Sequence, residues 1–189
     1  MKKFTLFFLV LWFLQGCVPA VFVAGAAAGG AIIYDHRSTK NIVSDRGITF
    51  QSQKKLDSDQ ELRKKTHVSV TTFNNIALLL GQAPNNELRD RAESIVKSNP
   101  KIKMLYNEIT IGKPITDITC ANDSWITTKV KTVLLAASGL NSTNLKVVTE
   151  NSVVYLMGLT TRTQAKIATD KTRTVAGVKK VVKLFEYLN

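Results

Sequence analysis

The chain has 189 residues, room for one ordinary domain or two small ones, and its 26 Lys and Arg against 14 Asp and Glu give a formal charge of +12. An excess of that size points to a polyanionic partner, either nucleic acid or an anionic membrane surface. The two histidines and two cysteines sit at no metal-ligand spacing, and Gly-rich phosphate loops, Gly-x-Ser-x-Gly elbows and oriented Cys–His pairs are missing, so neither catalysis nor a metal or cofactor is expected.

Lys2 and Lys3 open the chain, followed by Phe4 to Leu14, apolar but for Thr5. A run of eleven residues is too short for a hydrocarbon core that needs about 20, so residues 1–16 read as an export signal. Leu14-Gln15-Gly16-Cys17 closes it and resembles the lipobox of bacterial lipoproteins, with Gln15 a less usual residue at its place. That resemblance implies diacylglycerol on the Cys17 sulphur, cleavage before it, and a further acyl chain on the new amino group. Two or more chains at ~0.8 kcal/mol per buried CH₂ make a lasting anchor. Val18 stands where an inner-membrane retention signal would carry Asp, which favours the outer membrane, facing the periplasm. Export also decides between the two polyanions, since nucleic acid fits the charge but not the compartment. With Cys17 so used, Cys120 is left without an internal disulphide partner and reads as a free thiol, an intermolecular link being the other reading.

Residues 17–43 follow as a tether. Val18 to Tyr34 is apolar but built of small residues, with Ala-Gly-Ala-Ala-Ala-Gly-Gly-Ala at 24–31. Its glycines and Pro19 make a poor helix, so it reads as a flexible, membrane-hugging segment, a transmembrane continuation being the alternative. Asp35-His36-Arg37-Ser38 begins the polar part.

The remainder repeats itself. Val68 to Gly81 lies over Leu145 to Gly158 at an offset of 77, with Val70/Val147, Thr72/Thr149, Asn74/Asn151, Leu79/Leu156 and Gly81/Gly158 identical; Lys101 to Ile109 lies over Gly177 to Phe185 at an offset of 76. Each copy predicts a helix (about 45–58 and 123–137), two β-branched runs joined by a short Asn-containing turn, a second helix (about 85–98 and 162–175), and a last strand from Ile102 to Ile111 or Val178 to Leu188. The order is αββαβ twice, an α+β fold of two modules, each a three-stranded sheet carrying two helices on one face. The modules span 44–112 and 122–189, joined by a linker at 113–121. Cores this small favour packing of one module on the other. Gly81 and Gly158 are structural, each following a strand where a positive φ or a close backbone approach is needed. Ser52 stands in the first helix where a core aliphatic would fit.

The helix Ser124 to Ala137 is the most informative element. At 100° per residue Ile126, Val130, Val133, Leu134 and Ala137 gather on one face, while Trp125 and Leu135 fall outside it, flanked by Lys129 and Lys131. A membrane-surface helix accounts for this, with indole at the headgroups and lysines on phosphates; Trp125, Thr128, Lys129, Lys131, Thr132 and Leu135 are the candidate phospholipid-binding residues. The alternative buries Trp125 and Leu135 under the first module as an interdomain plug. Lys179, Lys180 and Lys183 read as a solvated strand face. Residues 112–189 carry 11 basic and 5 acidic residues against 13 and 9 in residues 35–111, so the second module is the more basic.

The duplicated αββαβ unit behind a lipobox resembles the dual BON-domain lipoproteins. Tyr106-Asn-Glu-Ile109, Asn122-Asp-Ser-Trp-Ile-Thr-Thr-Lys-Val130, Val148-Thr-Glu-Asn151 and Leu156-Met-Gly158 carry the likeness. The resemblance implies no catalysis, binding of an anionic, phosphatidylglycerol-like phospholipid through the second module, and support of envelope integrity and division-site processes. A periplasmic scaffold for envelope protein partners, held to the membrane by its anchor alone, is the alternative.

Overall fold

The structure is a computed structural model that describes residues 39–188. The export signal, Cys17, His36 and the tether up to Ser38 lie outside the described residues. The elements run α1 (Thr39–Ser58), α2 (Gln60–Lys65), β1 (His67–Phe73), β2 (Ile76–Ala83), α3 (Asn86–Lys97), β3 (Met104–Ile111), then α4 (Asp117–Leu135), a 3₁₀ turn (Ser142–Asn144), β4 (Leu145–Glu150), β5 (Val153–Thr160), α5 (Arg162–Arg173) and β6 (Lys180–Tyr187).

Each module is a three-stranded sheet of the same order, β1-β2-β3 and β4-β5-β6. The first two strands are antiparallel and the third runs parallel to the second. A parallel pair needs a crossover, and α3 and α5 supply it. The hairpins close on two-residue turns with φ of +50° and +64° at Asn74 and Asn75, and +49° and +64° at Asn151 and Ser152. Two successive positive φ values define the type I′ turn, which matches strand twist and favours Asn. A buried aspartate from the preceding helix fastens each one. Asp45 accepts the N–H groups of Asn74 and Asn75 at 2.8 and 2.9 Å, and Asp123 those of Asn151 and Ser152 at 2.7 and 2.8 Å.

Three apolar clusters stack the elements in four layers. Leu56, Leu62, Leu88, Ala92 and Val96 from the first module's helices pack on Val70, Leu79 and Ile109. Ile126, Val130, Leu134 and Ala168 pack likewise on Val147, Val154 and Leu156. Between the sheets lie Phe73, Ile76, Leu78 and Leu80 against Tyr155, Met157 and Leu184. Every residue of β2 is consequently buried, which is why its sequence is a continuous apolar run rather than an alternation. Polar bonds tie the two sheets together: Asn74 Nδ2 donates to Glu186 Oε2 at 2.8 Å, Gln82 Nε2 to Glu150 Oε1 at 2.7 Å, and Lys146 Nζ to the Thr72 carbonyl at 3.0 Å.

α1 begins at Thr39, inside the stretch read as tether, and α4 at Asp117, inside the stretch read as linker; Thr116 caps α4, its hydroxyl accepting the Thr119 N–H at 3.3 Å. The short α2 was not expected; Asp59 caps it through the N–H groups of Glu61 and Leu62. Gly81 and Gly158 lie within β2 and β5 rather than after them, because each strand pairs two residues further than its apolar run. Against the free-thiol reading, Cys120, the fourth residue of α4, is buried and is not free.

Candidate lipid-facing helix of the second module

α4 closes on its sheet through Cys120, Asp123, Ile126, Val130 and Leu134, all buried. This spacing of three and four residues makes one helical face, so the positions between must look outward. They do. Trp125 is 62% exposed, Leu135 67% and Ile118 82%. At 100° per residue these three, with Thr128 and Thr132, fall within ~100° of arc. The hydroxyls of Thr128 and Thr132 donate to the carbonyls of Ser124 and Thr128 at 3.0 Å each, so the stripe's own polar groups are already satisfied by the helix. Lys129 and Lys131 border it on either side, about 20° and about 40° outside it. Lys129 Nζ donates to the Ala176 carbonyl and lies 5.9 Å from the centroid of the Trp125 ring, which fixes the cation at the tryptophan's edge of the stripe.

The interdomain plug is excluded. The modules meet through their sheets, while α4 covers the opposite face of its own sheet, so the first module has no access to Trp125 or Leu135. The six sequence-predicted residues all lie on α4: Trp125, Thr128, Thr132 and Leu135 share its outward side, and the two half-buried lysines flank them. Ile118 lies outside the helix that the sequence predicts from residue 123 onward, and joins the stripe because α4 starts at Asp117. The Thr116-x-x-Thr119 cap was the signal for an earlier start. Among the described residues no helix is long and apolar enough to cross a membrane. On the far side of the molecule α1 exposes Val43 (65%) and Phe50 (70%).

The glycines leave no room for a side chain. A Cβ on Gly81, whose φ is +120°, would stand 1.7 Å from the His67 carbonyl oxygen; one on Gly158 would stand 2.4 Å from Leu145 Cδ2 and 2.7 Å from the Asn144 oxygen. At the module interface burial holds the Glu150 carboxyl above its ordinary range, against the lowering effect of the Gln82 hydrogen bond and the His67 charge.

The BON domain model matches residues 44–113 and again 122–189. The outer membrane lipoprotein DolP of Haemophilus influenzae is 33% identical over 189 residues, all of this chain and 97% of that protein. A 21 kDa hemolysin of Actinobacillus pleuropneumoniae is 35% identical over 154 residues, 82% of this chain and 79% of the relative. An uncharacterised protein of Anaplasma centrale is 29% identical over 117 residues, 61% of this chain and 78% of that one.

Proposed function

The chain belongs to the BON-domain family, with two such domains in tandem, and on that footing we propose that it is a non-enzymatic outer-membrane lipoprotein that binds anionic phospholipid. Cys17 carries the acyl anchor, the modules face the periplasm, and the outward stripe of α4 contacts phosphatidylglycerol-like headgroups. One observation carries the reading: α4 holds an exposed tryptophan, leucine and isoleucine between two lysines. Large apolar side chains have no reason to face water together, and a bilayer interface takes them with the indole at headgroup level. The lysines meet lipid phosphate, each worth ~1 kcal/mol on an anionic leaflet. The full-length likeness to an outer membrane lipoprotein supports the location. By the same family resemblance the role is to support envelope integrity and division-site processes, with no nucleic acid as partner. A scaffold for envelope proteins is the second reading, and the exposed Val43 and Phe50 on the side away from α4 favour it for the first module.

All three apolar clusters lie within residues 39–188, so a chain beginning at Asp35 carries the folded part without the anchor or the small-residue stretch, and Trp125 is its single tryptophan. Phosphatidylglycerol vesicles should shift its emission to the blue, zwitterionic vesicles much less, and added salt should weaken the shift over a screening length of ~8 Å. Trp125→Glu or Leu135→Glu should abolish binding with an unchanged melt. A wild-type chain that neither shifts nor binds overturns the lipid reading and leaves the scaffold. Anchoring is read separately: Cys17→Ser in the full chain should lose palmitate labelling, and equal incorporation would remove the lipoprotein assignment.

A further inference from the structure

The second module carries a basic cleft that the α4 reading does not use. α5 crosses over β6, the open edge of its sheet. Alternate residues of β6 point to the helical side; Val181 and Phe185 pack there, and Lys183 and Tyr187 share that side. Opposite them α5 presents Arg162, Lys166 and Arg173, at intervals of four and seven residues on one helical face. Together they line a depression of about 290 Å³, floored by the buried Ala165 and Thr169.

Four cations face one carboxylate in this cleft. Asp170 is taken by Lys166 at 2.6 Å and lies 4.0 Å from Arg173, and the Lys166 hydrogen bond holds its pKa low. Among the described residues neither Arg162 nor Lys183 has a carboxylate within salt-bridge distance. The Arg162 guanidinium lies instead over the Tyr187 ring, 4.6 Å from its centroid, which holds the fork in place without neutralising it. Glu186, the acidic residue of β6, is turned away to the module interface, where it accepts from Asn74.

Duplication supplies an internal control. At the offset of 76 that the helix caps and last strands share, Arg162, Lys166, Arg173 and Lys183 correspond to Asn86, Asp90, Lys97 and Asn107 of the first module; there Asp90 pairs with Arg89 at 2.9 Å and Lys97 with Glu93 at 3.4 Å. Asn107, which stands where Lys183 stands in the second module, donates to Glu93 at 2.7 Å. The fold therefore does not require an uncompensated cation here. The second module has one nonetheless.

We propose that the cleft between α5 and β6 is a phosphate-binding site, taking the phosphate of an anionic lipid headgroup or of a free phosphoester. An Arg fork beside lysine point charges is the donor set for such an oxyanion, and the depression has the volume of a headgroup rather than of a whole lipid. α5 stands between α4 and the cleft within one helical layer, so the two surfaces belong to the same module yet share no residue. The proposal rests on the membrane reading only for the source of the phosphate.

The test uses the chain from Asp35, with amide shifts read by NMR while inorganic phosphate replaces chloride at equal ionic strength, and a parallel titration with phosphatidylglycerol vesicles. Phosphate should move amides of 161–173 and 180–187. Arg162→Gln with Lys183→Gln should weaken vesicle binding by about thirtyfold, whereas removal of the same charge from the first module, by Lys101→Gln with Lys103→Gln, should cost about threefold at most. Lys183 bonds to no side chain among the described residues, so Lys183→Gln alone keeps the test open if loss of the Arg162 stacking disturbs the fold. Phosphate shifts with vesicle loss assign the lipid headgroup; phosphate shifts without vesicle loss assign a free phosphoester. A cleft variant no weaker than the Lys101/Lys103 control, together with no phosphate shifts, overturns the site. Trp125→Glu separates the two readings, since it should abolish vesicle binding yet leave the phosphate shifts in place.

Discussion

The helices that open the two modules hold the same inward positions and differ in what fills them. Asp45, Ile48, Ser52 and Leu56 of α1 stand where Asp123, Ile126, Val130 and Leu134 stand in α4, at a constant offset of 78 residues, and all are buried. The aspartates do identical work on their type I′ turns. Thr49 and Thr127, one step on from the first core aliphatic, reach Thr72 and Thr149 in the same way, at 3.1 and 2.7 Å. Outward, the copies part company. Gly47 occupies the place of Trp125, and Phe50 that of Thr128. Closure on a sheet fixes the inward side of such a helix, because any change there opens a cavity or strands a polar group. The outward side is released from that constraint, and the exposed apolar stripe of α4 lies there.

Substitution of the paired glycines probes the shared part of the design and should give the largest effects. Gly81 combines a φ of +120° with a backbone oxygen in the way of any Cβ. Alanine there adds conformational strain of 1–3 kcal/mol to forced separation of β1 and β2, about 4 kcal/mol or more in all. Gly158 has no positive φ, and its nearest obstacle is the mobile end of Leu145, with the Asn144 oxygen behind it. Gly158→Ala should cost less, about 2 kcal/mol. Hydrogen exchange measures this, since it reports each module separately. Equal losses at the two sites would show that the strands, not the conformation at Gly81, set the cost.

The elements most legible in the sequence were those with a local cause. Asn74-Asn75 and Asn151-Ser152 between β-branched runs announce hairpins, and the inward face of α4 shows at a period of 3.6. The first two turns of α4 were hidden because Pro114, the polar Thr116 and Asp117, and the exposed Ile118 give no amphipathic pattern. α2 was hidden because a six-residue helix with Leu62 as its one buried residue has no period to read. The sheet-to-sheet interface was legible only in part: Ile76-Ala-Leu-Leu-Leu80 lacks alternation, which signals burial on both faces, but nothing local names the partner sheet. The α5–β6 cleft was not legible at all. Arg162, Lys166 and Arg173 meet Lys183 only through the parallel crossover, and no sequence pattern records that Glu186 faces the other way.

A core swap between the modules should give an intermediate effect of opposite signs. Ser52 is 1% exposed, and its hydroxyl is the one buried side-chain polar atom without a hydrogen-bond partner among the described residues. An unmatched buried hydroxyl costs about 1–3 kcal/mol. Ser52→Val places there what Val130 already provides, and should stabilise the first module by about 1–2 kcal/mol and raise its melting temperature by several degrees. The reverse change, Val130→Ser, should destabilise the second module by about 3 kcal/mol. If Ser52→Val lowers the melting temperature, the site lacks space for the methyls and the equivalence of the two columns fails.

The smallest effect is expected where the copies differ at their shared interface. β1 ends on Phe73, buried between the sheets, and β4 ends at the matching place on Glu150, which accepts from Gln82 of the other module at 2.7 Å. Burial raises the Glu150 pKa above its usual 4.5; the Gln82 hydrogen bond and the His67 charge pull it down, and the nearby Asp123 charge adds to the rise. A carboxyl whose folded pKa is raised binds its proton more readily folded than unfolded. Its contribution to stability is thus complete below the ordinary value and is lost as pH rises through the folded one. At neutral pH the charged form sits in the interface at a cost. Glu150→Gln keeps the size and still accepts the Gln82 N–H through its amide oxygen, so it should be more stable than wild type at pH 7, by under ~1 kcal/mol. That advantage should shrink as pH falls through the raised pKa and vanish below the ordinary one, in melts recorded from pH 4 to pH 8. A Glu150→Gln chain less stable than wild type at pH 7 would mean that the carboxylate, through His67, holds the modules together as an ion, and that the polar end of β4 is as stabilising as the Phe73 end of β1.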